Sequence, residues 1–393
     1  MGDAIQPHQR IHELDILRGF ALLGVFLVHF VGAAFYALPI DDIAEQAFLE
    51  SFSDRAALFV SDWLFESKAN TLFGVLFGMG FWIMMQRLSE SGRDFRGIYA
   101  RRLGALLFIG LVNVFLIFPG DVLHEYALIG FVLMALRALP TKWLLWLGIT
   151  LAVLGSPAMD HVMWANDLWN DDYDIAQEAA FADGRYWNWV MSMTFAHIDR
   201  NFLHFGVAGW ALYVLGRFLL GAWVMKTDLI GWVTTHHKTH RNWAIGLLVF
   251  GLVIELVSLL IYDGVIPGNR MVESMMHAVG APIVAMSYAF FLIVLYHSRQ
   301  GRRAVLWFAP VGRIALTAYV VHGAVYTLLY MPFGLDLLGT LGPLRSFVVA
   351  LMLYAALTAF AHAWLQHYRY GPLEYLWRWA TYGKRPVNRL ATA

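Results

Sequence analysis

A run of apolar residues long enough for a transmembrane helix, residues 14–36, constrains this chain more than any other feature. Past Asp15 and Arg18 the run is apolar except for His29. About 20 such residues suffice for a helix to cross a bilayer. Similar runs recur through a sequence of 393 residues that is 59% hydrophobic and 14% charged, whereas soluble domains carry about 25% charged residues. The sequence therefore predicts an all-α polytopic membrane protein and excludes a soluble one.

We predict about ten transmembrane helices in a single transmembrane domain covering residues 1–393. The N-terminal helices and an acidic outer loop fall in residues 10–200, and the second half falls in residues 201–385. A short interfacial helix is expected at residues 55–65. After residues 14–36, the predicted spans cover about residues 68–86, 103–118, 122–136, 143–154, 202–224, 243–262, 276–296, 311–330 and 347–367.

The loops between these spans alternate between acidic or neutral and basic. Residues 41–54 and 160–200 are acidic, whereas residues 87–102 and the tail after residue 367 are basic. Because cytoplasmic loops carry the excess of Lys and Arg, both termini are predicted in the cytoplasm and the loop at 160–200 outside. We expect a multi-pass protein of the bacterial cytoplasmic (inner) membrane, with Arg18 near the cytoplasmic surface and His29 beyond the midplane.

Arg18 and His29 are eleven residues apart in the first span. This spacing is close to three helical turns, so both side chains project from one face, about 16 Å apart along the axis. Ionisable groups inside a bilayer are costly and are functional candidates for that reason. A histidine can take and release a proton near neutral pH, which suits a general base. The alternatives are a buried histidine bonded to a neighbouring helix, and an arginine that snorkels or pairs with Asp15.

Five segments spread along the chain carry a resemblance to a known family. They read LDILRGFALLGVFLVHF, ESKANTLFGVLFGMGF, PGDVLHEYALIG, VGRIALTAYVVH and GPLEYLWRWATYG, in that order. Together they resemble the YeiB-like membrane protein family (domain of unknown function 418). This family is placed in one broad superfamily with acyltransferase-3 enzymes and heparan-glucosaminide N-acetyltransferase. The resemblance covers nearly the whole chain.

The resemblance implies a transmembrane acyltransferase. Such an enzyme moves an acyl group from cytoplasmic acyl-CoA, with acetyl-CoA the expected donor, to an acceptor hydroxyl or amine on a glycan, lipid or small molecule reached from outside. His29 would be the general base. YeiB-like chains often carry Asn at the position of His29 and His at that of Asn113, so the two residues look exchanged in this sequence. We expect them to face each other at the catalytic site, or else His29 serves only as a hydrogen-bonding residue.

Four arginines at the predicted cytoplasmic side are candidates for binding the phosphates of CoA, a task that suits the guanidinium fork. They are Arg18, Arg96, Arg101 and Arg102. The alternative for each is the excess of positive charge that any cytoplasmic loop carries. Glu255 is the only charged residue within the predicted seventh span. It is expected either to orient His29, as a carboxylate orients a catalytic histidine, or to make a structural hydrogen bond.

A group of polar residues is expected at the outer rim, where it would contact the acceptor. Its members are Lys68, Asn70, Asp121, His124 and Glu125. An N-cap of the following helix is the simpler explanation for Asp121. Arg313 and His322 repeat the basic-then-His pattern in the predicted ninth span, but nine residues place them on opposite faces, so we expect a supporting or structural role.

His236, His237 and His240 have a spacing that a metal would accept, yet no acidic or cysteine ligand lies nearby, and no metal site is expected. The chain has no cysteine, which excludes disulfides and thiolate chemistry. Membrane lipid, acyl-CoA and an unidentified acceptor are the expected partners, with no nucleic acid and with a homodimer left open. The alternative function is a proton-coupled transporter or flippase of a small molecule or lipid-linked substrate, because membrane histidines and glutamates also serve as proton relays.

Overall fold

The computed structural model describes residues 11–33, 42–165, 183–198, 207–235 and 237–390. Most of these residues are helical, and the only β-pairing among them is an isolated bridge between Tyr368 and Arg389, which confirms the predicted all-α class. The helices are α1 (His12–Val31), α2 (Asp42–Glu50), α3 (Phe52–Leu64), α4 (Lys68–Glu90), α5 (Phe95–Leu116), α6 (Leu123–Ala135), α7 (Thr141–Ala165), α8 (Tyr186–Ile198) and α9 (Val207–Lys226). The others are α10 (Leu229–Thr235), α11 (His237–Tyr262), α12 (Arg270–Tyr296), α13 (Gly301–Leu306), α14 (Ala309–Arg313), α15 (Ala315–Tyr330), α16 (Pro343–His367) and α17 (Pro372–Tyr382).

Seven segments of this described part are long and apolar enough to cross a membrane. They are α1, α3 joined to α4, α5, α9, α11, α12 and α16. Helix α15 and the first part of α7, through Gly155, are shorter and also apolar. The chain is therefore a multi-pass membrane protein, while the total of ten spans stays a prediction. The end of the predicted first span, most of the acidic loop at 160–200, the start of the predicted sixth span and His236 lie outside the described residues.

Helix α1 lies inside the bundle and packs against α4, α14, α15 and α16. Its residues are buried on most sides, including Leu22, Phe26 and Phe30. The crossing of α1 with α14 is so close that a Cβ on Gly19 would collide with the carbonyl oxygen of Phe308. This contact holds the only charged stretch of α1 next to the segment that leads into α15. Helix α11, in contrast, exposes much of its apolar surface, as a helix facing lipid does.

The loops that the sequence predicts to be cytoplasmic lie together at one end of the bundle, which we call the basic end. There His297 Nε2 is 3.0 Å from Glu13 Oε1, and Lys226 donates to the carbonyl of Leu139 at 3.1 Å. The loops predicted to face outward meet at the opposite end, where the amide of Leu344 donates to Asp54 at 2.8 Å. This grouping agrees with the alternation of charge along the sequence.

The predicted ninth span, residues 311–330, is interrupted at Ile314, so its description as one continuous helix is wrong. Helix α14 ends at Arg313 and α15 begins at Ala315. Glu374 of α17 accepts hydrogen bonds from the amides of Leu316 and Thr317, at 2.7 and 3.0 Å, through Oε1. A carboxylate on the first-turn amides stabilises a helix N-terminus. Burial raises the pKa of Glu374 above its ordinary value, although these hydrogen bonds oppose the rise.

Candidate functional site

His29 lies against a second histidine, His322 of α15. Its Nδ1 is 2.8 Å from His322 Nε2, and the two rings stack with centroids 4.9 Å apart. His322 is fully buried, whereas His29 keeps part of its surface exposed. The predicted role of His322 as a supporting residue understated this contact, because His322 is the direct hydrogen-bond partner of His29.

The hydrogen bonds of this pair define its protonation pattern. His322 Nδ1 is 2.7 Å from the carbonyl oxygen of Tyr319. A carbonyl oxygen only accepts, so His322 Nδ1 carries the proton and its neutral ring offers Nε2 as an acceptor. His29 therefore donates through Nδ1, which leaves Nε2 of a neutral His29 with a free lone pair. The arrangement orients an imidazole as a base without a carboxylate.

The two residues that the sequence predicted as partners of His29 make their hydrogen bonds to other residues. Asn113 donates from Nδ2 to Asp121 Oδ1 at 2.7 Å, and Glu255 contacts Lys68. Phe118 packs its ring 5.1 Å from that of His29, while its amide donates to the backbone carbonyl of Asn113 at 2.7 Å. Glu255 thus makes the structural hydrogen bond that was the alternative to orienting His29, whose own hydrogen bond goes to His322. That Asn113 faces His29 stays a prediction.

Asp121 is the centre of a buried cluster at the start of α6. Its Oδ2 accepts from the amide of Leu123 at 2.9 Å and lies 3.2 Å from His124 Nδ1. His124 Nε2 is in turn 3.1 Å from His197 Nε2 and 3.9 Å from Glu125 Oε1. Asp121 thus satisfies the first amides of α6, as the helix-cap explanation predicted, and also joins Asn113 to His124.

Lys68 is the centre of a second buried cluster, which we call the ionic centre: Glu66, Ser67, Lys68, Glu255 and His277. Lys68 is 1% exposed and donates to Glu255 Oε2 and to the carbonyl of Asp62 at 3.0 Å. His277 Nδ1 lies 3.2 Å from the same Glu255 oxygen. Glu255 Oε1 is buried and has no hydrogen-bond partner among the described residues.

The other nitrogen of His277 reaches the break between α3 and α4. Its Nε2 is 3.3 Å from Glu66 Oε2 and 2.9 Å from Ser67 Oγ. Ser67 adopts a left-handed conformation with φ of 57°, which is uncommon for a residue with a side chain. Because both nitrogens of His277 face carboxylates, a doubly protonated ring would balance the charges of this centre.

The predicted acceptor-side residues therefore form separate groups. Lys68 belongs to the ionic centre, whereas Asp121, His124 and Glu125 belong to the cluster at α6. Asn70 stands between them and accepts a hydrogen bond from the hydroxyl of Tyr126 at 2.8 Å. Whether these five residues together contact an acceptor stays a prediction.

The four arginines predicted to bind CoA also lie in different environments. Arg96 and Arg101 are exposed on α5. Arg102 lies within electrostatic range of Arg18 and of Arg378 on α17, and its guanidinium stacks 3.5 Å from the ring of Trp377. Arg18 is bonded to Asp15 at 3.3 Å, as the alternative predicted. Three guanidinium groups thus converge at the basic end, a natural site for an anion.

Two cavities are present near these groups. One, of about 450 Å³, is an open cleft at the basic end, lined by residues of the turn from Tyr296 to Leu306. The other is a narrow gap between α1, α4 and α12, with Lys68 in its wall, and it is too tight to hold a water molecule. The wall of neither includes His29.

Several residues of these clusters escaped the sequence analysis. His277 and Arg217 are ionisable residues inside apolar helices, and that pattern, which singled out Glu255, applies to them equally. Arg378 and Glu374 lie on the amphipathic α17, where polar residues are expected anyway, so nothing in the sequence distinguishes them. Within the described residues no group of three or more potential ligands could hold a metal ion; the side chains of His237 and His240 lie outside them.

Known proteins similar to this chain cover nearly its whole length. The Bacillus subtilis protein YxaH is 30% identical over 96% of both chains, and Escherichia coli YeiB is 28% identical over 95% of this chain and 96% of its own. A 39.9 kDa protein of Bacillus acidopullulyticus is 25% identical over 98% and 97%. A family model described as a protein of unknown function, DUF418, matches residues 224–384. The chain belongs to the YeiB-like DUF418 family.

Proposed function

We propose that this protein is a transmembrane acyltransferase of the bacterial inner membrane, which transfers an acyl group from cytoplasmic acyl-CoA to a hydroxyl or amine. The observation that carries the proposal is the relay from the Tyr319 carbonyl through His322 to His29. It fixes the tautomers of both rings and leaves His29 Nε2 as the free base. A base oriented by a second group is the arrangement that activates nucleophiles in acyl transfer.

In the proposed reaction the acceptor O–H or N–H gives its proton to His29 Nε2 as its oxygen or nitrogen bonds to the thioester carbonyl carbon. The C–S bond then breaks, and the proton passes from His29 to the departing sulfur. Acyl-CoA and the free acceptor become acylated acceptor and free CoA, with no change in oxidation state. The His29 ring ends in the protonation state in which it began.

Donor binding would use the converging guanidinium groups of Arg18, Arg102 and Arg378. Like charges this close repel each other, and an anionic ligand relieves the repulsion. The phosphates of CoA, acetyl-CoA above all, suit this group. Along α1, Arg18 and His29 are about 16 Å apart, so the extended pantetheine arm would cover the distance while the phosphates stay at the basic end. The acceptor would approach from the opposite end.

The test measures CoA release by the purified full-length protein in lipid nanodiscs, with acetyl-CoA and a panel of amine, sugar and lipid acceptors. Because the chain contains no cysteine, every thiol that appears comes from CoA. His29→Gln is expected to lower the rate about 100-fold or more, since general-base catalysis supplies about 10²–10⁴-fold. The exposed His367 is the matched control, and His367→Gln should change the rate less than twofold. Full activity of His29→Gln would remove His29 from the mechanism.

Arg18→Gln tests the donor site in the same assay. Loss of a phosphate contact should raise the KM for acetyl-CoA about tenfold or more, because a charged hydrogen bond contributes about 1.5–3 kcal/mol, and should leave kcat nearly unchanged. An unchanged KM would assign Arg18 to topology and to its pair with Asp15.

A second candidate is proton-coupled transport, and the ionic centre favours it. It buries ionisable groups inside the membrane and joins them through His277 to the part-exposed Glu66. In proteoliposomes, solute uptake driven by a pH gradient without acyl-CoA, and lost in His277→Gln, would favour transport. Thiol release that requires acetyl-CoA and survives His277→Gln would favour acyl transfer.

A further inference from the structure

Arg217, in the middle of α9, is a charged residue that neither the sequence analysis nor the proposed reaction uses. Its side chain is fully buried, with 0% exposure. The nitrogens Nε, Nη1 and Nη2 have no hydrogen-bond partner among the described residues. Arginine offers five N–H donors and is charged at any physiological pH, so the side chain buries a full set of donors.

The depth of Arg217 makes this arrangement costly. It stands ten residues after Val207 and nine before Lys226, about 15 Å from either end of α9, and therefore near the centre of the membrane. Insertion scales assign about 2.5–3.5 kcal/mol to an arginine at such a position, and such residues line substrate pathways in membrane proteins. Because the side chain is sealed inside the bundle, it does not reach the interface by snorkelling.

The surroundings of Arg217 hold it in place without satisfying its donors. Its guanidinium lies 3.2 Å from the ring centroid of Tyr213, a cation–π contact that accepts no hydrogen bond in the plane of the fork. On α4, a Cβ on Gly74 would lie 2.9 Å from Arg217 Cβ, so the glycine makes room for the arginine stem. The plane of the fork is therefore kept for a ligand.

The nearest polar groups continue from Arg217 towards the opposite end. Tyr126 and Glu66 lie within electrostatic range of it. The Tyr126 hydroxyl donates to Asn70, and the Glu66 carboxylate is engaged by Ser67 at 3.0 Å and by His277. Asn70 is only half buried. A row of hydrogen-bonding groups thus leads from that rim to the buried guanidinium.

We propose that Arg217 binds an oxyanion, a carboxylate or a phosphate group of a small molecule that enters between α4, α6 and α9 from the opposite end. A planar guanidinium binds both groups with two parallel hydrogen bonds, and such a ligand supplies the acceptors that Arg217 lacks. The Tyr126 hydroxyl and the Asn70 amide are placed to bind the polar remainder of the molecule. The inference rests on the proposed function only in identifying this molecule as the acyl acceptor.

The test is thermal unfolding of the purified full-length protein, titrated with inorganic phosphate or with acetate against chloride at constant ionic strength. A ligand that binds the folded state raises Tm with saturation. We expect a saturable rise of a few degrees with one of the two anions, and the anion that produces it identifies the group. Arg217→Gln should abolish the rise, and Arg217→Lys, which keeps the charge without the fork, should reduce it. The exposed Arg302 is the control, and Arg302→Gln should respond like the wild type.

Two further comparisons of Tm could contradict the proposal. Without added anion, Arg217→Gln should unfold at the same or a higher temperature than the wild type, because it removes an uncompensated charge. A lower Tm of Arg217→Gln that disappears in a Glu66→Gln background would mean that a carboxylate of the chain itself is the partner. Equal anion responses of Arg217→Gln and wild type would place the anion elsewhere. None of these measurements contains acyl-CoA, so their failure is distinct from a failure of acyl transfer.

Discussion

The His29–His322 pair, between α1 and α15, and the ionic centre, between the start of α4, α11 and α12, both bury polar groups in the helix bundle, and they differ in charge. In the pair, two imidazoles share one hydrogen bond and the chain ends on a backbone carbonyl. In the ionic centre, an ammonium and two carboxylates surround His277. One is an uncharged relay, and the other is a set of balanced charges.

Because the two groups differ in charge, the pair suits proton transfer and the ionic centre suits structural support. An uncharged pair accepts a proton at His29 Nε2 and returns it without breaking an ion pair, as a general base must. The ionic centre loses its balance whenever one member changes charge, and buried charges without partners are costly. It also holds Ser67 in its left-handed conformation at the break between α3 and α4. Under the proposed function the pair is therefore the catalytic group, and the ionic centre fixes that break.

Lys68→Met should have the largest effect on stability, because it leaves Glu255 buried without its ammonium partner. Removal of one member of a buried ion pair costs about 3–5 kcal/mol. The free energy of unfolding, measured in detergent by thermal or denaturant melts, should fall by this amount. Lys68→Met combined with Glu255→Gln should recover most of the loss, because no unpaired charge remains. A double variant as unstable as the single one would contradict the view of this centre as a balanced ionic unit.

Charge and hydropathy patterns of the sequence were sufficient for the overall architecture. The helical class, a short helix near residues 55–65 (observed as α3) and the gathering of basic loops at one end all follow from properties that each segment carries by itself. The break at Ile314 does not, because the carboxylate that caps α15 comes from Glu374, some sixty residues later in the chain. The periodicity of residues 311–330 predicts one helix and gives no information about the contact with Glu374.

The sequence points to candidate residues for the site and not to their contacts. His29, Asn113 and Glu255 stand out because polar residues are rare in apolar helices, yet rarity does not say which of them meet. Equal depth in the membrane suggested that Glu255 reaches His29. Instead, α11 packs on α12, which packs against α4, and this arrangement brings Glu255 to Lys68. Depth is a property of one helix, and a pairing depends on the order of helices around the bundle.

His322→Phe tests the hydrogen bond between His322 and His29. Phenylalanine keeps an aromatic ring against Phe26, whose ring stacks 4.7 Å from that of His322, but leaves His29 Nδ1 without its acceptor. The expected loss in the free energy of unfolding is about 1–3 kcal/mol, the cost of an unsatisfied buried polar group, and smaller than that of Lys68→Met. CoA release should fall nearly as far as in His29→Gln, because the tautomer of His29 is no longer fixed. Wild-type CoA release in this variant would show that His29 acts without the relay.

Glu374→Gln should have the smallest effect on stability. It bears on the histidine pair because Glu374 caps α15, the helix that carries His322. Burial raises the pKa of the Glu374 carboxyl above 4.5, so the folded state holds its proton more tightly than the unfolded chain does. This contribution to stability is complete below pH 4.5 and is lost as the pH rises through the folded-state pKa. Tm measured from pH 4.5 upward should fall less in Glu374→Gln than in the wild type, since the amide oxygen still accepts from Leu316 and Thr317. Glu90→Gln, an exposed change of the same charge, should keep the wild-type slope. Equal slopes for Glu374→Gln and wild type would mean that the carboxylate titrates as if in water, and that the position of His322 does not depend on its charge.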